Sequence, residues 1–274
     1  VKRFDISLSK LPLDSILLNS MRLNDFVGVS TGVYYEGFGT WLATSGYKNF
    51  GTKTTPDENT QFRLASISKP MTAVAIMQLF EKGKVELDKP ISTYLKDFKN
   101  NEKGKITIRQ LLNHTSGVPH YTSTWDAISF TQYDSMTQAI DVFKNRALSF
   151  EPGTSYEYTT FGYTVLGAII EHVSGLRYQD YMKDYIWTPL QMIDTSVEDK
   201  DETYSNKAEL YVKLKDKYVT SPKTNLSVKY PGGGIQSTAA DLIKFGKGIL
   251  NNTLLDSTTM ELMFSIPDTV QKED

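Results

Sequence analysis

Apolar residues are densest in a segment that begins about a quarter of the way along the chain. The segment opens with Ser66-Ile67-Ser68-Lys69-Pro70, and among residues 71–80 only Thr72 and Gln78 have polar side chains. A helix that is apolar on all sides is buried rather than amphipathic. Gly83 is a natural stop, and Pro70 is tolerated in a first turn. The pattern predicts a buried helix with Ser66 at its N-terminal edge.

Other patterns predict a β-hairpin followed by a mainly helical region. Residues 26–35 and 40–47 are strand-like segments on either side of a glycine-bearing turn. From about residue 85 the period-two alternation is lost. Further elements are predicted as helices at 13–24, 106–117, 160–173, 178–188, 239–250 and 257–265, and as short strands at 210–214 and 218–220. Thr238 and Asp241 have capping-box spacing before the helix at 239–250.

The residues at the start of the buried helix have the chemistry of an activated nucleophile. Ser66 and Lys69 are three residues apart, so on a helix they share a face. The positive end of the helix stabilises negative charge near Ser66. Burial would lower the pKa of Lys69, and a neutral amine could then accept the serine proton. The alternative is an N-cap serine beside a solvated lysine.

Ser-x-x-Lys alone is a weak motif, because it occurs twice more in this chain. Ser45 and Lys48 lie in a predicted strand, where residues three apart point to opposite faces. Ser7 and Lys10 lie near the start, where Pro12 disfavours a helical turn. Only Ser66 and Lys69 open a long buried helix.

Composition excludes several classes of function. The 274 residues carry a net charge of -2, so there is no electrostatic reason to expect nucleic acid as a partner. No apolar run approaches the ~20 residues of a membrane span. The chain has no cysteine, and the spacing of its three histidines suits no common zinc motif, so we expect no metal and no cofactor. The charged segment 198–202 is expected to be an exposed loop.

A second candidate site lies about ninety residues after Ser66. The segment 151–163 places a Pro-Gly turn before Tyr158 and a predicted helix start after it. Tyr158 is therefore presented from a loop, as a proton-transferring phenol needs to be, although many of the 16 tyrosines are expected to serve packing. His114 is expected to be structural and to bond the loop that follows it, and residues 232–234 are expected to form a tight turn.

Together these segments resemble the serine β-lactamase and penicillin-binding-protein superfamily in its class C-like branch, which includes the mitochondrial serine β-lactamase-like proteins and their bacterial relatives. The matching segments occur in family order and cover about residues 20–265. They are Phe62-Arg-Leu-Ala-Ser-Ile-Ser-Lys69, Leu111-Leu-Asn-His-Thr-Ser-Gly117, Pro152-Gly-Thr154, Tyr158-Thr-Thr-Phe-Gly-Tyr163 and Gly232-Gly-Gly-Ile-Gln-Ser-Thr-Ala-Ala-Asp241.

The resemblance implies an α/β (α+β) fold with an antiparallel sheet flanked by helices and a mainly helical inserted domain. We expect residues 1–84 and 235–274 to form the α/β domain and 85–234 the helical one. The resemblance makes Ser66 the acylated nucleophile, with its amide in the oxyanion hole, and Lys69 the activating base. Tyr158 would move protons, and Thr160, Gly233 and Gly234 would bind substrate.

Two features depart from the family pattern. Thr160 stands where the second motif usually has Asn, and a hydroxyl can still donate and accept. The third motif, Lys-Thr-Gly or His-x-Gly, does not follow Gly232 in this sequence, so the C-terminal strands of the sheet are expected to be missing from this chain. Lys223-Thr-Asn resembles that motif but precedes Gly232.

Two functional hypotheses follow. The first is a serine hydrolase that forms an acyl-Ser66 intermediate with an amide or ester, whether a β-lactam, a D-amino-acid peptide or a simple ester. The second is a weakly active or inactive scaffold used in binding or assembly, which Thr160 and the absent third motif favour. A small-molecule or peptide partner is expected, with the oligomeric state open. No signal peptide is visible in a chain that starts without Met, and a periplasmic or secreted bacterial location is expected.

Overall fold

Antiparallel strands form three separate sheets in the computed structural model, which describes residues 2–6 and 12–265. The strands are β1 (Lys2–Ile6), β2 (Gly28–Tyr35), β3 (Gly39–Gly46), β4 (Phe62–Arg63), β5 (Ser196–Val197), β6 (Tyr211–Leu214), β7 (Lys217–Thr220) and β8 (Ile235–Ser237). The first sheet has the order β1-β3-β2, the second β4-β8-β5, and the third is the ribbon β6-β7.

The helices lie around these sheets. They are α1 (Leu13–Asn24), α2 (Ser68–Glu81), α3 (Ile108–Leu112), α4 (Thr124–Ala127), α5 (Met136–Ile140), α6 (Phe161–Ser174), α7 (Tyr178–Met182), α8 (Tyr230–Gly233), α9 (Ala239–Leu250) and α10 (Ser257–Phe264). The longest of these, with twelve residues or more, are α1, α2, α6 and α9, and α7 continues as a π-helical turn, Lys183–Trp187. In the described ranges no helix is both long and apolar enough to cross a membrane.

The antiparallel sheets and surrounding helices confirm the predicted α/β (α+β) class. The predicted hairpin is β2 and β3, in register with Val33 opposite Trp41. The short strands β4, β5 and β8 were not predicted, because two or three residues are too few to show an alternating pattern. Since β5 comes from the predicted helical region and pairs with β8, the chain crosses between the two expected domains here. The domain bounds themselves stay a prediction.

Helix α2 is buried on all sides, as its apolar sequence predicted. Every residue from Ser68 to Leu79 except Pro70 is buried. Its polar Gln78 is satisfied, since its amide nitrogen donates to two backbone carbonyls and its oxygen accepts from the Tyr181 hydroxyl. The helix packs against α6, in which residues 161–170 are all buried. These two helices form the centre of the main apolar core, and each has one end at the candidate site.

The expectation of an exposed charged loop at residues 198–202 is wrong for Glu198. This side chain is buried, accepts two hydrogen bonds from the Arg63 guanidinium at 2.7 and 2.5 Å, and pairs with Lys207 at 2.8 Å. The backbone N–H of Glu198 also donates to the Gly234 carbonyl. The acidic run is therefore anchored to β4 at its first residue.

The start of α9 is fixed by Thr238 and Asp241, but not as the full capping box that was predicted. The Thr238 hydroxyl accepts from the Asp241 backbone N–H at 3.1 Å. The fully buried Asp241 carboxylate instead accepts from the Asp194 N–H, the Thr195 hydroxyl and the Lys244 amine at 2.7–2.9 Å. It thus ties the chain before β5 to α9.

Asp241→Ala should lower the free energy of unfolding by about 2–4 kcal/mol, because it leaves buried donors without an acceptor. Denaturant unfolding measures this difference. Asp216→Ala, in the exposed turn of the β6-β7 ribbon, is the control and should change the value by less than about 0.5 kcal/mol. Equal effects of the two substitutions would contradict the role assigned to Asp241.

Candidate active site

Ser66 lies on a 3₁₀ turn, Ala65–Ile67, between β4 and α2. The preceding residue, Ala65, has φ 47°, a left-handed conformation that costs a non-glycine residue about 1–2 kcal/mol. The Ser68 hydroxyl stabilises this turn by donating to the Ala65 carbonyl at 2.7 Å and accepting from the Ile235 N–H at 3.2 Å. The exposed Ser66 is therefore presented at the start of α2 by a strained turn that is bound to β8.

The Lys69 amine is almost fully buried and has three oxygen neighbours. Its Nζ lies 2.7 Å from the Gly232 carbonyl, 3.3 Å from the Ser66 hydroxyl and 3.3 Å from the Thr160 hydroxyl. The side chain is only 4% exposed. One amine thus joins three segments that are far apart in the sequence.

Burial lowers the pKa of Lys69 to about 8. No carboxylate within the described ranges forms an ion pair with this amine, so nothing of opposite charge offsets the loss of hydration. Roughly one molecule in ten then carries a neutral amine at pH 7, and half do at pH 8. A neutral amine in contact with a serine hydroxyl can accept its proton.

The ring of Tyr158 covers the lysine. Its centroid lies 4.5 Å from Lys69 Nζ and 4.5 Å from the His114 ring, and the side chain is 37% exposed. In the described parts of the chain its phenol oxygen makes no hydrogen bond to Ser66 or Lys69. A phenol that exchanges a proton directly with Ser66 or Lys69 would need such a bond. The structure instead brings Tyr158 to the site through its ring, which leaves the phenol free for a bound molecule.

The three residues expected to bind substrate differ in position. Thr160 is buried, and its hydroxyl faces Lys69. Gly233 is partly exposed, and a Cβ there would lie 3.8 Å from the Ala65 backbone, next to Ser66. Gly234 is buried, its N–H donates to Tyr230 and its carbonyl accepts from Glu198. The N–H of Gly234 is therefore already used within the fold, and its carbonyl keeps one lone pair.

Sequence analysis missed the role of Gly232 at this site. Its carbonyl is the nearest acceptor to Lys69, and a Cβ at this position would lie 2.6 Å from the Thr160 side chain. A larger residue would therefore push α8 away from the lysine. The run of three glycines was the available signal, since a run of glycines is typical of a close backbone approach.

Sequence analysis also missed the way in which two histidines hold the segment 157–160, which carries Tyr158. Among the described residues, the bond of the His114 ring is not to the loop that follows it but to a distant segment, where its Nδ1 accepts from the Thr159 N–H at 3.1 Å. His120 Nδ1 accepts from the Thr160 N–H at 3.2 Å. Burial and the nearby Lys69 lower the pKa of His114 to about 4 and also lower the pKa of His120. Both rings are neutral at pH 7.

Comparison with known proteins identifies the family of this chain. The Beta-lactamase family model matches residues 13–271. The chain belongs to the beta-lactamase family. The resemblance inferred from the motifs is therefore confirmed.

Curated relatives are similar over most of this chain. It is 30% identical over 300 residues to the mitochondrial serine beta-lactamase-like protein of Homo sapiens, covering 84% of this chain and 55% of that protein. It is 32% identical over 243 residues to penicillin-binding protein 4* of Bacillus subtilis, covering 80% and 51%. The chain thus spans about half the length of these relatives.

Solved structures have the same fold. The D-amino acid amidase of Ochrobactrum anthropi superposes with a TM-score of 0.79 at 28% identity, covering 89% of this chain and 72% of that one. A penicillin-binding protein of Bacillus halodurans gives 0.77 at 26% identity, covering 89% and 77%.

The Lys69 amine should titrate near pH 8, well below the ordinary lysine value of 10.5, because burial disfavours its charged form. Carbon-13 NMR of labelled lysine Cε groups across a pH series measures the midpoint. Lys69→Met assigns the signal by removing it. In that variant Lys229, whose pKa burial also lowers to about 8, must keep its own signal. A Lys69 midpoint near 10.5 would refute the desolvation argument.

Proposed function

We propose that the protein is a serine hydrolase that forms an acyl-Ser66 intermediate with an amide or an ester. The observation that carries the proposal is the contact between Ser66 and the buried Lys69, whose pKa burial lowers to about 8. A serine hydroxyl is a weak nucleophile until a nearby base removes its proton. The buried amine of Lys69 supplies that base without a histidine.

Acylation follows from this arrangement. Neutral Lys69 takes the hydroxyl proton of Ser66 while Oγ forms a bond to the substrate carbonyl carbon. The carbonyl oxygen becomes an oxyanion, which the positive N-terminal end of α2 stabilises. The C–N or C–O bond of the leaving group then breaks, and the leaving group takes a proton. A water molecule attacks the resulting ester in the second half of the reaction and restores Ser66.

Tyr158 is placed to deliver the proton to the leaving group. Its ring lies over Lys69, so the phenol can give its own proton to the leaving group and then take the proton that the amine removed from Ser66. The phenol has no other partner among the described residues, and it can therefore turn toward a bound substrate. General acid–base groups of this kind contribute typically about 10²–10⁴-fold to rate.

The geometry of the site and the names of similar proteins both favour amides and esters as substrates. A structural neighbour is a D-amino acid amidase, and two curated relatives are penicillin-binding proteins. The partly exposed Gly233 beside Ala65 leaves space next to the serine. We infer that D-amino-acid amides, β-lactams and activated esters are the first compounds to test.

A binding or assembly scaffold with little turnover is the second candidate. Two observations favour it: Thr160 replaces the usual amide residue, and the Tyr158 phenol bonds neither Ser66 nor Lys69. A scaffold would keep the fold around Lys69 but would not be acylated. Covalent labelling therefore separates the two candidates.

A fluorescent fluorophosphonate and a fluorescent penicillin should label the wild-type protein on Ser66 and fail to label Ser66→Ala. Mass spectrometry of the labelled peptide locates the adduct. Ser45→Ala is the matched control, because its serine belongs to a second Ser-x-x-Lys segment but lies on β3 opposite Val29, while Lys48 bonds Asn206 instead. This variant should be labelled like the wild type.

Each other outcome has a definite meaning. Label that persists in Ser66→Ala would remove Ser66 as the nucleophile. A wild-type protein that takes neither probe at any pH between about 7 and 9, where Lys69 becomes neutral, would favour the scaffold.

Tyr158→Phe should reduce turnover of a D-amino-acid amide by about 10²–10⁴-fold, because amide nitrogen must be protonated to leave. The loss should be much smaller for a p-nitrophenyl ester, whose leaving group departs without a proton. The phenylalanine ring keeps the contacts with His114 and Lys69, so the folded state is preserved. Steady-state rates on the two substrates measure the difference, and equal losses on both would contradict a proton-donor role.

A further inference from the structure

Two histidine rings hold the segment that carries Tyr158 and Thr160. The backbone N–H groups of two consecutive residues, Thr159 and Thr160, donate to Nδ1 of His114 and of His120 respectively. The same rings touch the Tyr158 ring, His114 at 4.5 Å between centroids and His120 edge-on at 5.8 Å. The two histidines therefore fix both the backbone of this segment and its tyrosine.

Three further hydrogen bonds, each with at least one backbone group, reinforce the connection. The Glu157 N–H donates to the His114 carbonyl at 3.0 Å, and the His120 N–H donates to the Glu157 carboxylate at 3.3 Å. The Thr159 hydroxyl donates to the Pro119 carbonyl. The segment 157–160 is thus bound along its length to the segment 114–120.

The direction of these hydrogen bonds fixes the protonation state of the rings. A backbone N–H can only donate, so each Nδ1 that faces one must be free of a proton. Each ring therefore carries its single proton on Nε2. A second proton on either ring would place two donors against each other and break the bond.

His120 is the more readily protonated of the two rings. Burial and the positive charge of Lys69 lower its pKa, the Glu157 carboxylate raises it, and Lys229 lowers it again. His114 is more deeply buried, and its pKa is about 4. The remaining titratable side chains in contact with the two rings are phenols; they are Tyr121 beside His120, Tyr158 beside both, and Tyr156 and Tyr163 beside His114.

We propose that His114 and His120 are positioning residues for the hydrolase, and that protonation of His120 releases the segment that places Tyr158 and Thr160 against Lys69. The proposal rests on the serine-hydrolase function proposed above. The proposal predicts that two protonation events reduce activity as the pH falls. The first is protonation of Lys69, and the second is protonation of His120. Protonated His120 also adds positive charge near Lys69, which further disfavours binding of the segment in its active position.

His120→Asn distinguishes two roles of His120: a ring whose protonation controls the segment, and a ring that only packs against it. Its side-chain oxygen can accept from the Thr160 N–H in place of Nδ1, but it cannot be protonated. His120→Leu keeps bulk and removes the acceptor. His172→Asn, at an exposed position on α6, is the matched control for the same change.

The rate of fluorophosphonate labelling of Ser66 is measured from about pH 5 to pH 9, across the range in which histidine titrates. For the wild type and His172→Asn, the logarithm of the labelling rate should fall with a slope of one per pH unit just below pH 8. The slope should become steeper at the lower pH where His120 is also protonated. His120→Asn should keep a slope of one throughout and stay within about threefold of wild type at pH 8. His120→Leu should be slower at every pH by about tenfold to a hundredfold, since misplacement of a supporting group costs that much.

NMR tests the histidine contacts without activity. Nitrogen-15 shifts of the two rings should show Nε2-protonated, neutral imidazoles at pH 7, and the Thr160 amide signal should move with the same midpoint as the His120 ring. A cationic or Nδ1-protonated His120 at pH 7 would overturn the proposal. So would an acid limb that is equally steep in wild type and His120→Asn.

These readouts also separate this proposal from the hydrolase proposal. If Ser66 is labelled but the acid limb of the His120→Asn pH profile is the same as in the wild type, the hydrolase proposal stands and the role proposed for His120 is wrong. Ser66 that is never labelled removes the hydrolase, and with it the histidines' role in catalysis, whatever the ring shifts show of the contacts themselves.

Discussion

The whole site depends on burying one amine without an opposite charge. Lys69 gives up most of its hydration and receives in return a backbone carbonyl, two hydroxyls and the faces of two tyrosine rings. Such surroundings are polar enough to accept an amine and too weakly charged to keep it fully protonated. A carboxylate in place of the Gly232 carbonyl would stabilise the ammonium form and remove the base. The absence of a counter-ion for Lys69 among the described residues is therefore what lets burial lower the pKa of this amine.

The fold is organised to keep that amine where it is. The Gly232 carbonyl is 163 positions away in sequence and reaches Lys69 because α8 packs against α2 and α6. A buried network reinforces this packing, since the Thr72 hydroxyl bonds both the Tyr178 hydroxyl at 2.7 Å and the Pro231 carbonyl at 2.8 Å. The apolar core around α2 thus holds Lys69 in place. Pro231, which precedes Gly232, is bound to the same helix through Thr72.

Sequence alone was sufficient where a pattern is long or a motif is local. The apolar run of α2 predicted its burial, and the spacing of Ser66 and Lys69 predicted their contact. It was insufficient where a partner comes from a distant segment. Glu198 lies in an acidic run of the kind that is usually exposed to solvent. The pairing of β4, β8 and β5 brings Arg63 to it, and the bridge between Gln61 and Lys207 brings the lysine. The position of the Tyr158 phenol likewise depends on His114, 44 residues earlier, which no local pattern reveals.

Thr160 both packs against Gly232 and binds Lys69, and its branched side chain allows it to do both. Its methyl group lies where a Cβ on Gly232 would clash, at 2.6 Å, so it covers the glycine whose carbonyl binds Lys69. Branching at Cβ leaves few rotamers, and the hydroxyl is thereby aimed at the amine. An asparagine amide is one bond longer and lacks that methyl group. Thr160 therefore supports Lys69 as a shorter and stiffer group than an asparagine would be.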